Sequence, residues 1–209
     1  IKTQTKGKQL DFVIDYEAGT TTVYNRINNT IVEVINSLPN GTIFSENNIT
    51  SLKGVVQKDS RLTVAAGNNI YITADILYEE DHNENPDATN ILGILSEKGD
   101  VIIPNNAPNN LTVSGTVMAP HGSFRVQNYT NIDYHKGTLT LHGGVITYFY
   151  GAVGTTEGRG YGRDFIFDKR MGDLTKMPLG FPATESMVVD SVRDDNMDTL
   201  DLIIWKESN

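Results

Sequence analysis

A chain of 209 residues and 23.0 kDa carries 17 Lys+Arg against 26 Asp+Glu, giving a formal net charge of −9 and a pI near 4.8. That length suits one full-sized domain or a domain with a small appendage, and no apolar run approaches the roughly 18 residues of a bilayer span. The acidic balance argues against capture of nucleic acid by the body of the domain, and the absence of cysteine excludes disulfides, a thiolate nucleophile and cysteine zinc ligands.

Period-2 alternation runs along almost the whole chain, with little helical periodicity. Leu10 to Tyr16 and Thr21 to Tyr24, on either side of a glycine-bearing turn, predict an opening hairpin. Ile31 to Ile35 is β-branched and predicts a third strand. From Gly41 the texture changes to apolar triplets separated by Gly, Asn, Asp or Ser corners. Examples are Leu62 to Val64, Ile70 to Ile72, Ile76 to Tyr78, Val101 to Ile103, Phe124 to Val126 and Val145 to Phe149. Strands this short, with a sharp corner after each, suit a coil better than a sandwich.

Superposing Arg61 to Tyr78 (RLTVAAGNNIYITADILY) on Asn110 to Val126 (NLTVSGTVMAPHGSFRV) makes a period of roughly 20 residues visible, and Leu139-Thr140-Leu141 repeats the opening. One such turn cannot bury enough to offset its ordering entropy, so stability requires parallel stacking on neighbours. The expected fold is all-β: a short right-handed parallel β-solenoid of four to five turns, with capping strands at both ends. Residues 1–40 form an N-terminal hairpin and capping strand, 41–150 the solenoid turns, and 151–209 a C-terminal connector and cap ending in the alternating strand Thr199 to Lys206 (TLDLIIWK) with Trp205.

Leu38 to Tyr78 and Leu92 to Phe124, with Gly137 to Thr140, Gly151 to Gly154 and the ending Phe165-Ile166-Phe167-Asp168-Lys169-Arg170, resemble a bacterial β-solenoid domain of unknown function. Members of that family occur in cell-envelope proteins, including type IV pilus-associated, PilX-like ones. Lys169 stands where the family ending has proline. The resemblance implies a non-enzymatic envelope or extracellular module, used in adhesion or pilus function as the exposed head of a pilin-like or membrane-anchored protein. It further implies pilus or envelope subunits, or a surface ligand, as partners, and anchorage only through a segment preceding Ile1. The family has no established catalytic residues to carry over.

Candidate chemistry is sparse. Glu79, Glu80, Asp81, Glu84 and Asp87 offer carboxylates for Ca2+, but the loop lacks the spacing and turn glycine of a dedicated calcium site, and a solvated loop is the preferred reading. Asp194 to Asp198 begins like an EF-hand and fails at its sixth and twelfth positions, Thr199 and Trp205. His121 and His142 both fall in corners, where neighbouring turns could bring them together. Asp75, Asp100 and Asp133, with Arg125 and Lys136, are the pairs a carbohydrate-cleaving β-helix would use. Tyr134, Tyr148 and Tyr150 are candidates for an aromatic ligand platform, with Phe149 expected on the opposite face. Gly158 to Arg163 reads as a flexible connector. A basic stripe for DNA at a pilus tip would need Lys53, Lys58, Arg61, Arg159 and Arg163 on one surface.

Overall fold

The computed structural model describes residues 10–15, 20–25, 28–35 and 41–182. The expected strand over 199–206 and the Asp194 to Asp198 segment lie outside them.

The chain forms a parallel β-solenoid of about five coils. The first coil contains β4 (Gly41–Ser45) and β5 (Ile49–Val56); the second, β6 (Arg61–Ala66) and β7 (Ile70–Tyr78). β8 (Ile91–Ser96), β9 (Val101–Ile103) and β10 (Leu111–Ser114) build the third, and β11 (Thr116–Ala119), β12 (Phe124–Val126) and β13 (His135–Gly143) the fourth. β14 (Val145–Thr147) and β15 (Gly160–Phe167) belong to the fifth. Stacking produces three faces. β4, β6, β8, β11 and β14 form one five-stranded sheet. The long strands β5 and β7 bend across the other two, so their first halves align with β9 and β12 and their second halves with β10, β13 and β15.

At the N-terminal end, β1 (Leu10–Asp15), β2 (Thr20–Asn25) and β3 (Thr30–Ile35) form an antiparallel meander. Leu10 pairs parallel with Ile49, joining the meander to the edge of the first coil. A hairpin at this end agrees with the sequence expectation.

The core is a set of aliphatic columns. Ile43, Val64, Ile94, Val117 and Val145 are successive partners on one face. Ile49, Ile70, Val101 and Phe124 follow one another on the second, and Ile76, Val113, Leu141 and Phe165 on the third. Alternation along each strand sends every second side chain inward, which is why three-residue strands suffice once the rungs are stacked.

One boundary and the phase of the repeat differ from the sequence expectation. The solenoid continues past residue 150, because Gly160–Phe167 runs parallel to β13 with Leu141 opposite Phe165; Gly158 to Arg163 is therefore a turn and the start of a strand rather than a connector. The phase of the repeat also differs. Leu62 lies opposite Leu92 on the first face, whereas Leu111 lies opposite Leu139 on the third. The two Leu-Thr-Val triplets that align in sequence thus occupy different faces.

After β15 the chain leaves the stack. Asp168 to Pro182, including a short 3-10 helix at Lys169–Gly172, forms a strap over the outer face of the five-stranded sheet. Arg61 donates to the Met177 carbonyl through Nε at 2.9 Å, and Thr42 Oγ1 donates to the Leu179 carbonyl at 3.2 Å. Gly93 in β8 makes room for the Phe181 ring, since a Cβ there would lie 2.1 Å from Phe181 Cδ2. Among the described residues no helix is long and apolar enough to cross a membrane.

Candidate functional site

Of the residues that could have carried catalysis, Asp133 is exposed, while Asp75, Asp100, Arg125 and Lys136 have structural partners. The Asn48 side-chain carbonyl accepts from the Asn69 amide at 3.0 Å; that of Asn69 accepts from the Asp100 amide at 2.8 Å; Asp100 Oδ1 accepts from the Ser123 amide at 2.8 Å. Each corner is thus tied to the next coil by one side-chain acceptor, giving the buried amides partners that an exposed turn would find in water. Asp100 Oδ2 also receives Arg125 Nε at 2.8 Å. Burial raises the Asp100 pKa, but hydrogen bonds from Arg125 and Ser123 outweigh it and hold the carboxyl below its ordinary value. Asp75 accepts from the Thr112 amide at 2.8 Å, and Lys136 Nζ donates to the Ala107 carbonyl at 2.7 Å.

This ladder makes a prediction. Asn is the ladder residue at positions 48 and 69, so Asp100→Asn keeps the acceptor and loses only a half-exposed ion pair, costing under about 1 kcal/mol. Asp100→Ala strands the Ser123 amide and is expected to cost about 1–3 kcal/mol. Urea denaturation of the two variants separates them.

The carboxylates of the acidic loop are engaged separately. Glu79 accepts from the Lys58 amide, and Glu80 pairs with Lys58 Nζ at 3.1 Å. Asp81 Oδ1 is taken up by the Asn83 amide and side chain, both at 2.9 Å, while Glu84 and Asp87 are exposed. Among the described residues no group of three His, Cys, Asp or Glu side chains is arranged to hold a metal ion. Of the basic residues, Lys53 is exposed, while Lys58 pairs with Glu80, Arg61 with the strap, Arg159 with Glu157 at 2.8 Å and Arg163 with the Tyr150 hydroxyl.

The three tyrosines do not form one platform. Tyr134 packs against the core, its hydroxyl 3.4 Å from the Pro104 carbonyl and its ring beneath Lys136; burial raises its pKa. Tyr148 and Tyr150 are exposed just after β14 in the fifth coil. Phe149 is exposed with them, against the alternation argument, because β14 ends at Thr147 and no pleat governs the next three residues. Tyr150 does border a hollow of about 530 Å3 with Tyr129, Asn128 and Arg125.

Two features escaped sequence reading. One is the open end of the stack. In the column Ile43, Val64, Ile94, Val117, Val145 the exposure runs 5, 3, 0, 0 and 38%. Phe165 and Phe167, opposite Leu141 and Gly143, are 43% and 62% exposed although their register is that of inward residues. They face solvent because no coil lies above them among the described residues.

The other is the strap anchor. Asp168 is 1% exposed and takes the Arg170 guanidinium in a fork, with Nε to Oδ1 at 3.0 Å and a terminal nitrogen to Oδ2 at 2.7 Å. The remaining donors of Arg170 reach the Ala88 and Asn90 carbonyls, both at 2.9 Å, and its guanidinium lies 5.3 Å from the centre of the Tyr78 ring. His82 Nε2 is 3.7 Å from Asp168, with Asp81 and His142 within electrostatic range.

Burial holds the His82 pKa below its ordinary value despite the Asp168 charge. Burial raises that of Asp168, but the Arg170 hydrogen bonds and charge outweigh it and keep the carboxyl low. Both shifts have one sign: the unfolded chain binds more protons than the folded one as pH falls, so stability drops with acidification. The His82 contribution is present above its unfolded pKa near 6.5 and declines below it; that of Asp168 is present above about 3.9 and is lost at lower pH. Urea midpoints are therefore expected to fall in two stages between pH 7.5 and 3, with the upper stage abolished by His82→Gln.

Comparison with protein-family models, with curated proteins and with solved structures finds no match to this chain. The class of protein its geometry defines is a five-coil parallel β-solenoid with a C-terminal strap.

Proposed function

We propose that this chain is a non-enzymatic cell-envelope or surface module, a rigid solenoid serving as the exposed head of a pilin-like or membrane-anchored protein in adhesion or pilus function. The observation that carries the reading is the open end of the fifth coil. Among the described residues the inward columns stop at exposed Val145, Phe165 and Phe167, and β14 and β15 are the terminal strands of their sheets. A parallel ladder with free backbone groups and aliphatic columns accepts a further strand of the same kind. The occupant we assign is therefore a β-coil of another envelope subunit, continuing the columns. Of the carboxylates that a β-helix hydrolase would use, Asp100 is spent on the corner ladder and Asp75 on the Thr112 amide, which favours a structural role.

Protease shaving of intact producing cells, read with an antibody to this chain, tests the placement. Recovery in the envelope fraction with cleavage from outside supports it; recovery in the cytosolic fraction contradicts it. The hollow beside Tyr150, lined by Tyr129, Asn128 and Arg125, favours carbohydrate binding as a second reading. It predicts glycan-array signals that Tyr150→Ala removes.

A further inference from the structure

We propose that the cavity between the strap and the outer face of β11 and β14 binds a single aliphatic chain carried by an uncharged amphiphile. The cavity measures about 650 Å3, within the usual range for a small-molecule site. Met118 and Ile146 line it from the sheet, and Met171, Leu174, Met177 and Phe181 from the strap. The site is built in advance. Arg170 fixes the strap at one end, and its carbonyls at Met177 and Leu179 are held by Arg61 and Thr42 at the other.

The lining decides the chemistry of the occupant. Thr116 supplies its one polar side chain, and no charged side chain borders it. A carboxylate or phosphate drawn inside would lose hydration without gaining a partner, and the net charge of −9 adds repulsion. A peptide segment would bring backbone N–H and C=O groups that these walls cannot satisfy. A hydrocarbon chain brings none. Three methionines give walls that adapt to a flexible chain, and Ile146 and Leu174, each 50% exposed, gain the burial they lack. There is open space at two glycines of the lining: a Cβ on Gly172 would meet nothing within 4 Å, and one on Gly144 would first meet Thr116 Cγ2 at 3.5 Å.

The test is calorimetric titration of the full chain with 1-monolauroylglycerol below its micelle concentration, with laurate at neutral pH as the charged counterpart. Saturable 1:1 binding is expected, at least tenfold weaker for laurate and at least tenfold weaker in Gly172→Phe, which adds a ring at a lining position with open space beside it. A photoreactive alkyl monoacylglycerol keeps the test decisive should that variant fold poorly, and labelling of Met118, Met171 or Met177 is the expected result. The proposal is overturned if the wild-type chain takes up no probe, whether a second copy or residues 183–209 fill the space. Undiminished binding in Gly172→Phe, equal affinity for laurate, or labelling confined to other surfaces overturns it equally.

Discussion

Arg170→Ala is expected to lower the unfolding free energy by about 3–5 kcal/mol, the largest loss of any single side-chain truncation outside the aliphatic columns. The reason is what it leaves behind. Asp168, 1% exposed, keeps its charge with no guanidinium to receive it, and the Ala88 and Asn90 carbonyls lose their donors. Arg170→Lys retains the charge but offers one ammonium where a planar fork meets a carboxylate and two carbonyls, so it recovers only part of the loss. Replacing both partners, as Asp168→Leu with Arg170→Met, removes the stranded charge and is expected to cost less than Arg170→Ala alone, though not nothing, because the two carbonyls stay unpaired. Guanidinium denaturation of the three proteins gives that ordering; equal stability of Arg170→Ala and wild type contradicts the buried anchor.

The second large effect comes from a single methyl group at a corner. A Cβ on Gly122 would sit 2.0 Å from the Gly99 carbonyl oxygen, and one on Gly143 1.9 Å from that of Gly115. The obstacle in each case is the backbone of the coil beneath, which cannot swing aside as a side chain can. Gly122→Ala and Gly143→Ala must therefore separate two coils locally, stretching the ladder bonds on either side. A loss of about 3 kcal/mol or more is expected for each, at the upper end of overpacking costs. Gly172→Ala is the control. Its Cβ meets nothing within 4 Å and its backbone is not left-handed, so it is expected to be neutral or to stabilise by about 0.4–1 kcal/mol. Thermal melts of the three variants decide the matter, and similar melting temperatures for all of them would contradict close stacking at the corners.

These two effects also mark how far the sequence could be read. The apolar triplets were legible because inward positions in a narrow coil admit little besides Val, Leu, Ile and an occasional Phe, and the corners because a close approach such as Gly122 on Gly99 admits only glycine. The phase of the repeat was not. Leu-Thr-Val serves equally on the first face at Leu62 and on the third at Leu111, since both are buried in the same aliphatic environment. The fifth coil was hidden for a different reason: with no coil above it, Arg163 occupies the register of Leu139, and the apolar pattern that marks inward positions fades. Asn69 reads as a corner residue and Asp100 as a candidate hydrolase carboxylate; their role as acceptors for the next coil needs knowledge of what lies 31 and 23 residues away. The strap anchor and the cavity depend on single contacts across more than 80 residues, such as Arg170 to Ala88, and leave no periodic trace.

The central claim is that successive strands stack parallel in the register described, and the absence of cysteine from the chain allows a direct test. Thr112 and Thr140 are Cα partners on β10 and β13, a spacing of neighbouring strands, about 4.8 Å, that a disulfide can span. Thr63, which aligns with Thr112 in the sequence repeat, sits on the other sheet opposite Gly93. On mild oxidation the double variant Thr112→Cys, Thr140→Cys is expected to close an intramolecular disulfide in nearly every molecule, and Thr63→Cys, Thr112→Cys in almost none. Failure of the first pair to bridge, or efficient bridging of the second, would contradict the stacking.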